Sequence, residues 1–575
     1  NGVWHGMSWE EYYSHARQLG LGLYSLGIRK GDRVSILSQN RLEWIISDMG
    51  IIGIGAVTIP IYPTVPASEV GYINSNSDAK VYIAEDKTAV QHGIDTLKDC
   101  PELKKIVVID TRGVDMSNPL LMSFDDLEML GGKLQAQEPG LFEKLTDAVE
   151  PEDLATLVYT SGTTGHPKGA MITHKNVLAV ISALDEMHWA DENDVAVAFL
   201  PLCHVFQRVA GHFYAMRTGI YTHYSQDFNS IVEDIQTKRP TVLLAVPRVC
   251  EKVYAKIMGQ AKQEPPWKQA IFNWAVSIGG RYSQLKEKKE PIPPLLQLYY
   301  RIAYKLVFQK LQGALGGRLR WMVAAGAPLA REIADFFNAA QVFLIEGYGM
   351  TECSAPATLN RLDEYKFGTA GKPLSCNQIK IADDGEILIK GDNVIQGYWK
   401  MPEQTKEAFT EDGWLMSGDI GYLDKDGYLM ITDRKKDLII TAGGKNIAPQ
   451  NIENLFKQDP LFEQVVVIGD RRQYLVALFN LNQEESARLA KEAGIVFDKP
   501  EDLFEMNAFK RIVDSHMDKL NDKLARVETI KYYRIVKDTF SEATGELTPS
   551  LKVKRKFVRA KYKDMIDGMY PATEA

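Results

Sequence analysis

The chain is poor in cysteine. Five occur in 575 residues, at positions 100, 203, 250, 353 and 376, and no two share a paired spacing. This excludes a disulfide framework and a zinc motif, and it fits a reducing compartment. Positive charge is not in excess either. The 67 lysines and arginines against 75 acidic residues leave a formal charge of -8, which offers no electrostatic footprint for nucleic acid. No apolar run approaches the ~20 residues that span a bilayer. The most apolar stretch, residues 49–62, is interrupted by Gly50, Gly53, Gly55 and Pro60. No secretory leader, internal repeat or low-complexity tract is visible, and the ten histidines form no metal-ligand pair. The expectation is a cytoplasmic protein of ordinary globular composition, 45% hydrophobic and 25% charged. At roughly 100–200 residues per domain, three or four packed units are expected.

What is present is organised by alternation. Ser8 and Glu11 are spaced as a capping box. Tyr12, Ala16, Leu19, Leu23 and Leu26 follow at helical spacing, and Gly27 closes the helix. A strand at 34–37, a helix at 41–52 and a strand at 56–61 come next, the pattern of a parallel sheet with helices on its faces. Four later strand-like runs, 154–159, 195–200, 320–324 and 342–346, each end in an unusual turn. In open parallel sheets ligands bind beyond the carboxyl ends of the strands, so the four turns are expected to line one cleft. Residues 386–432 read as a small antiparallel barrel or meander. Within it the Asp424-Lys425-Asp426-Gly427 run is a hairpin turn, because a calcium loop would need a glutamate where Lys435 stands.

A polar joint at 433–437 sets the expected boundary at 432/433, giving domains 1–432 and 433–575. The fold expected is α/β: a large N-terminal domain of parallel sheets plus a small distorted barrel, then a smaller α+β domain. The residues after about 478 read as mostly helical, and 286–294 as an exposed linker. Residues 295–320 mix apolar positions with Arg301, Lys305, Lys310, Arg318 and Arg320. A core-packed helix hairpin is the favoured reading, and a segment grazing a membrane surface is the alternative.

The most informative segment is Thr160-Ser161-Gly162-Thr163-Thr164-Gly165-His166-Pro167-Lys168-Gly169, which follows the apolar run 154–159. Glycines let backbone N–H groups approach a ligand, successive N–H groups form an anion-binding concavity, and Lys168 adds a point charge suited to phosphate. It is not the common nucleotide loop, in which Gly-Lys is followed by Ser or Thr, because Gly169 follows Lys168. The pattern resembles the AMP-binding signature of the acyl-adenylate-forming superfamily, and further motifs keep that superfamily's order. Gly347-Tyr348-Gly349-Met350-Thr351-Glu352 resembles its second nucleotide motif. The resemblance implies that Tyr348 stacks on adenine, that Thr351 meets the α-phosphate and that Glu352 helps hold Mg2+. Ala325-Gly326-Ala327-Pro328 resembles the segment lying against adenine and the acyl group. Ser417-Gly418-Asp419 resembles the ribose-binding turn, with Arg434 as a charged nucleotide contact.

Lys552, in the run 547–555, aligns with the family's C-terminal catalytic lysine. Leu551 replaces the glycine that commonly precedes it, which leaves Lys554 as an alternative. His204 resembles the residue between acyl pocket and thiol channel, and Gly443, in the loop 441–446, would let a pantetheine arm pass. The small domain is implied to rotate about Lys436 between two half-reactions. In the first, a carboxylate attacks the α-phosphorus of ATP, giving acyl-AMP and pyrophosphate. In the second, a thiol displaces AMP.

Overall resemblance is closest to long-chain fatty acyl-CoA synthetases, so the expected substrates are ATP, coenzyme A and a medium- or long-chain fatty acid. Val205, Val209, Phe213 and Met216 follow at helical spacing and would wall an acyl tunnel or pack in the core; Phe206, Arg208 and His212 have no assigned role. The alternatives are an acyl or amino-acid adenylating enzyme that loads a carrier-protein thiol, and a non-catalytic ATP- or lipid-binding descendant. Oligomeric state is not readable.

Overall fold

The computed structural model describes residues 4–160, 166–225, 231–327, 329–441, 445–541, 544–547 and 553–570. The chain forms two compact units. The larger comprises Asn1–Pro247, Pro265–Lys380 and Leu388–Met416; the smaller comprises Arg248–Glu264, Ile381–Ile387 and Ser417–Ala575.

The first sheet of the larger unit contains β1 (Arg33–Leu37), β2 (Val57–Ile61), β3 (Ala79–Ala84), β4 (Lys105–Val108), β5 (Leu121–Ser123), β6 (Leu154–Thr160) and β7 (Lys168–Thr173). Their order is β5-β4-β3-β1-β2-β6-β7. Every neighbouring pair is parallel except the β6–β7 hairpin. Side chains alternate across a strand, so the near-continuous apolar runs bury both faces. Val34, Ile36, Val81 and Ile83 enter one core, while Leu37, Tyr82 and Ala84 enter the other. The helix Trp9–Ser25, with its Ser8/Glu11 capping box, lies against the helix Leu42–Gly53. They meet at glycines: a Cβ on Gly20 would stand 2.6 Å from the Gly50 carbonyl oxygen.

The second sheet contains β8 (Val195–Ala198), β9 (Tyr221–Tyr224), β10 (Val242–Ala245), β11 (Trp321–Ala325), β12 (Phe343–Met350), β13 (Ala355–Leu359) and β14 (Lys372–Pro373), in the order β14-β13-β12-β11-β10-β8-β9. Strands β8 to β12 run parallel, and β13 and β14 turn antiparallel at one edge. A four-stranded sheet follows in chain order, β15 (Asn377–Ile381), β16 (Glu386–Gly391), β17 (Leu415–Leu423) and β18 (Leu429–Arg434). The Asp424 run is indeed a hairpin turn. The Asp424 carboxylate accepts the N–H groups of Asp426 and Tyr428, and Gly427 supplies a φ of 83°.

The smaller unit adds a short pair, β19 (Ile439–Ile440) and β20 (Asn446–Ile447), and a sheet of β21 (Phe462–Ile468), β22 (Leu475–Leu481) and β23 (Ile530–Ile535). Val465 and Val467 face one core, Val466 and Ile468 the other. Strand β23 pairs parallel to β22 and departs from the mostly helical reading of this region. Only one of its residues, Ile530, is buried, so its charged, half-exposed sequence lacks the apolar signal of a central strand.

One buried ion pair joins elements of the larger unit far apart in sequence. The guanidinium of Arg208 donates to both carboxylate oxygens of Asp48, at 2.7 and 2.5 Å, and to the Thr156 hydroxyl at 2.7 Å. The Thr58 hydroxyl donates to the same carboxylate, and the Thr156 hydroxyl donates onward to the Thr58 carbonyl. The two charged side chains are 1% and 0% exposed. Removing one partner of such a pair leaves an uncompensated buried charge, at a cost of about 3–5 kcal/mol, whereas replacing both by apolar groups is close to neutral. Denaturant unfolding of Arg208→Met should therefore show a loss of about that size, and Arg208→Met/Asp48→Leu should recover most of it. A stable single variant would contradict the role.

Candidate active site

The parallel strands β8, β10, β11 and β12 end on one edge of the second sheet, where an open α/β fold places its ligands. Ala325 at the end of β11 is paired with Gly347 of β12, so Gly326-Ala327 leaves the sheet beside Tyr348-Gly349, which continues in β12 paired with β13. Gly326 has a φ of 92°, in the region that only glycine enters freely. A Cβ on Gly349 would stand 2.8 Å from the Ala355 carbonyl oxygen, so that position admits no side chain without a shift. Tyr348 is buried. Thr351 and Glu352 sit on a single 3-10 turn, Thr351–Cys353. The chain then passes through Ser354 and Ala355 at φ values of 56° and 86°, strain of the kind found where a site fixes its backbone.

Glu346, just before this motif, was not singled out by the sequence. Its carboxylate accepts the N–H groups of Leu329 and Gly368 at 3.2 and 3.1 Å, tying the turn after β11 to the loop after β13. Desolvation pushes the carboxyl up from 4.5 to about 7, against the lowering effect of those two donors.

Strand β7 brings Lys168 to the same region. The segment Gly397-Tyr398-Trp399 runs beside it: Met171 N–H donates to the Gly397 carbonyl, and Trp399 N–H to the Gly169 carbonyl. Tyr398 is consequently held between two of the expected site residues. Its hydroxyl donates to Glu352 Oε1 at 2.8 Å, and the Lys168 ammonium lies 5.0 Å from its ring centroid. Burial, and then the neighbouring Glu352 charge, raise the phenol well above its ordinary value, so it stays a donor. Tyr398 is a site residue that sequence reasoning missed, because its only local signal is an aromatic pair after a glycine.

His204 follows β8. Its Nδ1 accepts the N–H of Phe206 at 3.2 Å, which leaves the neutral ring's proton on Nε2. His204 also starts the helix, with its carbonyl accepting from Arg208 N–H. Residues Phe206–Phe213 are π-helical, and Val205, Val209 and Phe213 are buried in the core. Phe206, Ala210 and Tyr214, not the expected set of 205, 209, 213 and 216, line an apolar cavity with Ala325 and Gly347. Trp321, Val323 and Ala325 line it at alternate positions of β11, as a strand dictates. The cavity therefore extends from the nucleotide-motif end of β11 to Trp321, about 13 Å away at ~3.3 Å per residue. There Trp189 and Trp321 meet edge to face, with ring centroids 6.1 Å apart. The Trp321 indole N–H and Arg320 both donate to the Trp189 carbonyl at 3.3 Å. The free volume enclosed is about 30 Å3.

The remaining unassigned residues of the π-helix are structural. Arg208 pairs with Asp48, as above. His212 is sandwiched between the Tyr12 and Tyr224 hydroxyls at 3.0 and 2.7 Å, and desolvation lowers it to about 4.

In the smaller unit, Asp419 and Arg434 stand opposite each other in the β17–β18 ladder, with Arg434 Nε 3.5 Å from Asp419 Oδ1. The turn before them is pinned: Gly418, at a φ of 73°, donates to Glu386, which also accepts from the Lys435 ammonium. Six of the expected contacts, Ser161, Gly162, Thr163, Thr164, Gly165 and Pro328, lie outside the described residues, as do Gly443 and Lys552. Thr160 is described at the end of β6, paired with Lys168. Among the described residues no group of three His, Cys, Asp or Glu could hold a metal. Glu352 offers a single carboxylate, which suits a magnesium ion arriving with phosphate oxygens rather than an all-protein cage.

The class of protein is shown by sequence comparison, and it is that of the adenylate-forming ligases. Residues 2–399 match the AMP-binding enzyme family and residues 436–574 the AMP-binding enzyme C-terminal domain. The chain belongs to that family. It is 36% identical over 576 residues to a long-chain-fatty-acid–CoA ligase, FadD15, of Mycobacterium bovis, covering 99% of this chain and 93% of that one. It is 31% identical to long-chain-fatty-acid–CoA ligase 5 of Rattus norvegicus, covering 99% and 84%. The fold is shared with the adenylation domain of a carboxylate reductase from Mycobacterium chelonae, at a TM-score of 0.75, 22% identity and coverage of 98% and 84%. It is shared also with MatB from Rhodopseudomonas palustris, solved with ATP bound, at a TM-score of 0.69, 22% identity and coverage of 97% and 94%. No helix among the described residues is long and apolar enough to cross a membrane.

The raised Glu346 carboxyl makes a pH prediction. Its folded-state value lies above its unfolded one, so the stability it contributes is full below about 4.5 and is lost as pH rises through about 7. Glu346→Gln keeps a neutral side chain at every pH. The melting temperature of the natural protein relative to this variant should fall across that window, and a constant difference would contradict the assignment.

Proposed function

We propose that the chain activates a medium- or long-chain fatty acid with ATP, forming acyl-AMP and pyrophosphate, and then passes the acyl group to coenzyme A with release of AMP. The observation that carries this reading is the apolar cavity that opens beside the nucleotide motif, with Ala325 and Gly347 belonging to both. It is supported by full-length similarity to relatives named long-chain-fatty-acid–CoA ligases.

The reaction follows from charge. A carboxylate is already ionised at neutral pH, so the first step needs no general base. The obstacle is negative charge on the oxygens around the α-phosphorus as the acid oxygen attacks, and catalysis is then positioning plus electrostatic stabilisation. Lys168 and the 160–165 loop hold the outgoing phosphates, Thr351 donates to the α-phosphate and Lys552 completes the positive field. Tyr348 gives adenine a flat face. Asp419 accepts from the ribose hydroxyls, and Arg434 adds a cation to the nucleotide. Magnesium, when bound, would neutralise charge on the phosphate oxygens. Glu352 would hold it, and the Tyr398 hydroxyl keeps that carboxylate oriented. In the second step the thiol, entering along the loop containing Gly443 and past His204, attacks the acyl carbonyl, and AMP leaves. Transfer to a carrier-protein thiol remains the second reading, and it would give the same first step.

Pyrophosphate release should depend on acids of increasing length, and AMP-coupled thioester should form only with coenzyme A present. Lys552→Ala should lower adenylate formation by about 100-fold or more, the cost of removing one pre-organised charge from such a site, yet spare thioester formation from preformed acyl-AMP. Equal loss in both half-reactions would contradict the role.

The free volume of about 30 Å3 is too small for a long chain, which enters only if the walls move. The two tryptophans close the cavity about 13 Å from the reacting end. Trp321→Ala should shift the preferred acid to longer chains, read as kcat/KM across a homologous series. An unchanged preference would show that the acyl group lies elsewhere.

A further inference from the structure

The helices Pro266–Glu287 and Pro294–Ala303, the latter continuing through Tyr304–Phe308, present a face that the adenylation chemistry does not use. The second of them packs inward through Leu296, Tyr300, Ala303 and Phe308. On a different side Leu295, Leu298, Tyr299, Ile302 and Leu306 are exposed, from 59% at Leu295 to 40% at Tyr299. Their spacing of three and four residues makes one continuous stripe. The stripe crosses to the neighbouring helix, where Trp274 meets Tyr299 edge to face at 6.3 Å. Two turns earlier on that helix Trp267 is 63% exposed. The hairpin is therefore amphipathic twice over, with one apolar side in the core and another in solvent.

The charge around this stripe is predominantly positive. Between residues 281 and 310, Arg281, Lys286, Lys288, Lys289, Arg301, Lys305 and Lys310 are all exposed, in a protein whose overall charge is -8. Glu287 is engaged with Arg331, which leaves Glu290 as the one other acidic residue in the span. We infer that this face docks on the surface of an anionic phospholipid bilayer. Large apolar and aromatic side chains flanked by lysine and arginine are the composition of an interfacial helix, whose apolar side chains enter the acyl boundary while the cations meet lipid phosphates. A second copy of the chain would bring seven cations against seven. A nucleic acid would leave the leucines without a partner.

The full-length protein should sediment with vesicles of equal parts phosphatidylcholine and phosphatidylglycerol, and about tenfold less with phosphatidylcholine alone. Arg301→Glu/Lys305→Glu should weaken binding to the mixed vesicles by about tenfold or more and reduce its salt dependence. Leu298→Glu/Ile302→Glu should abolish it, with the melting temperature unchanged because both positions face solvent. Equal binding to both vesicle types would overturn the inference. So would binding indifferent to both double variants, or self-association that the leucine–isoleucine variant removes.

Discussion

The bidentate contact between Arg208 and Asp48 is the constraint on which the rest of the larger unit depends. Two opposite charges taken fully out of water are stable only if every donor and acceptor is matched, and here two threonine hydroxyls complete the match. Asp48 comes from a helix beside the first sheet, Thr58 and Thr156 from two of that sheet's strands, and Arg208 from the π-helix after β8. The π-helix is thereby fixed in rotation as well as position. That rotation decides which of its side chains turn toward β11 and which turn away.

From this follows the character of the site. The π-helical backbone turns Phe206, Ala210 and Tyr214 to the cavity, while His204, at its start, spends its Nδ1 on the helix's own backbone. The nucleotide edge is held by a different device. Tyr398 reaches from a segment laid along β7 to the carboxylate of Glu352, with Lys168 above its ring, so that the start of β7 and the glutamate are set against each other. Glu346 does the same for the turn after β11, at the expense of a carboxyl that holds its proton at an unusually high pH. These are pre-organising contacts: they remove freedom in advance, so that binding energy need not be spent on it.

Much of this was legible in sequence because it is local. The capping box at Ser8 and Glu11, the helix that Gly27 ends, the hairpin at Asp424 and the alternating strands all obey short-range rules, and the structure has them. The glycine-rich runs at 325–327 and 347–349 marked the ends of neighbouring strands, and the structure pairs them. Less legible were features whose cause is distant. The stripe at 205, 209, 213 and 216 could wall a tunnel or pack in the core; it packs in the core, and the adjoining face at 206, 210 and 214 lines the cavity. The strand Ile530–Ile535 hides because its neighbour β22, not its own composition, makes it a strand. Residues 295–320 are expected to form a core-packed hairpin, but 294–314 are one continuous helix; one of its apolar sides is buried and another exposed, a difference set only by whether another element lies against them.

What the sequence by itself determined, then, is the set of parts and their chemistry: the alternation of strands and helices, the phosphate-seeking loop and the order of motifs that marks the family. These rest on residue types and on spacings within a few positions, where backbone sterics and periodicity rule. Only the tertiary structure decided that Tyr398 answers Glu352, that Arg208 serves the core and not the substrate, and that two tryptophans 132 residues apart close one cavity. Such pairings depend on burial, where a polar group's partner is set by what desolvation leaves within reach, and no short stretch of chain contains that information.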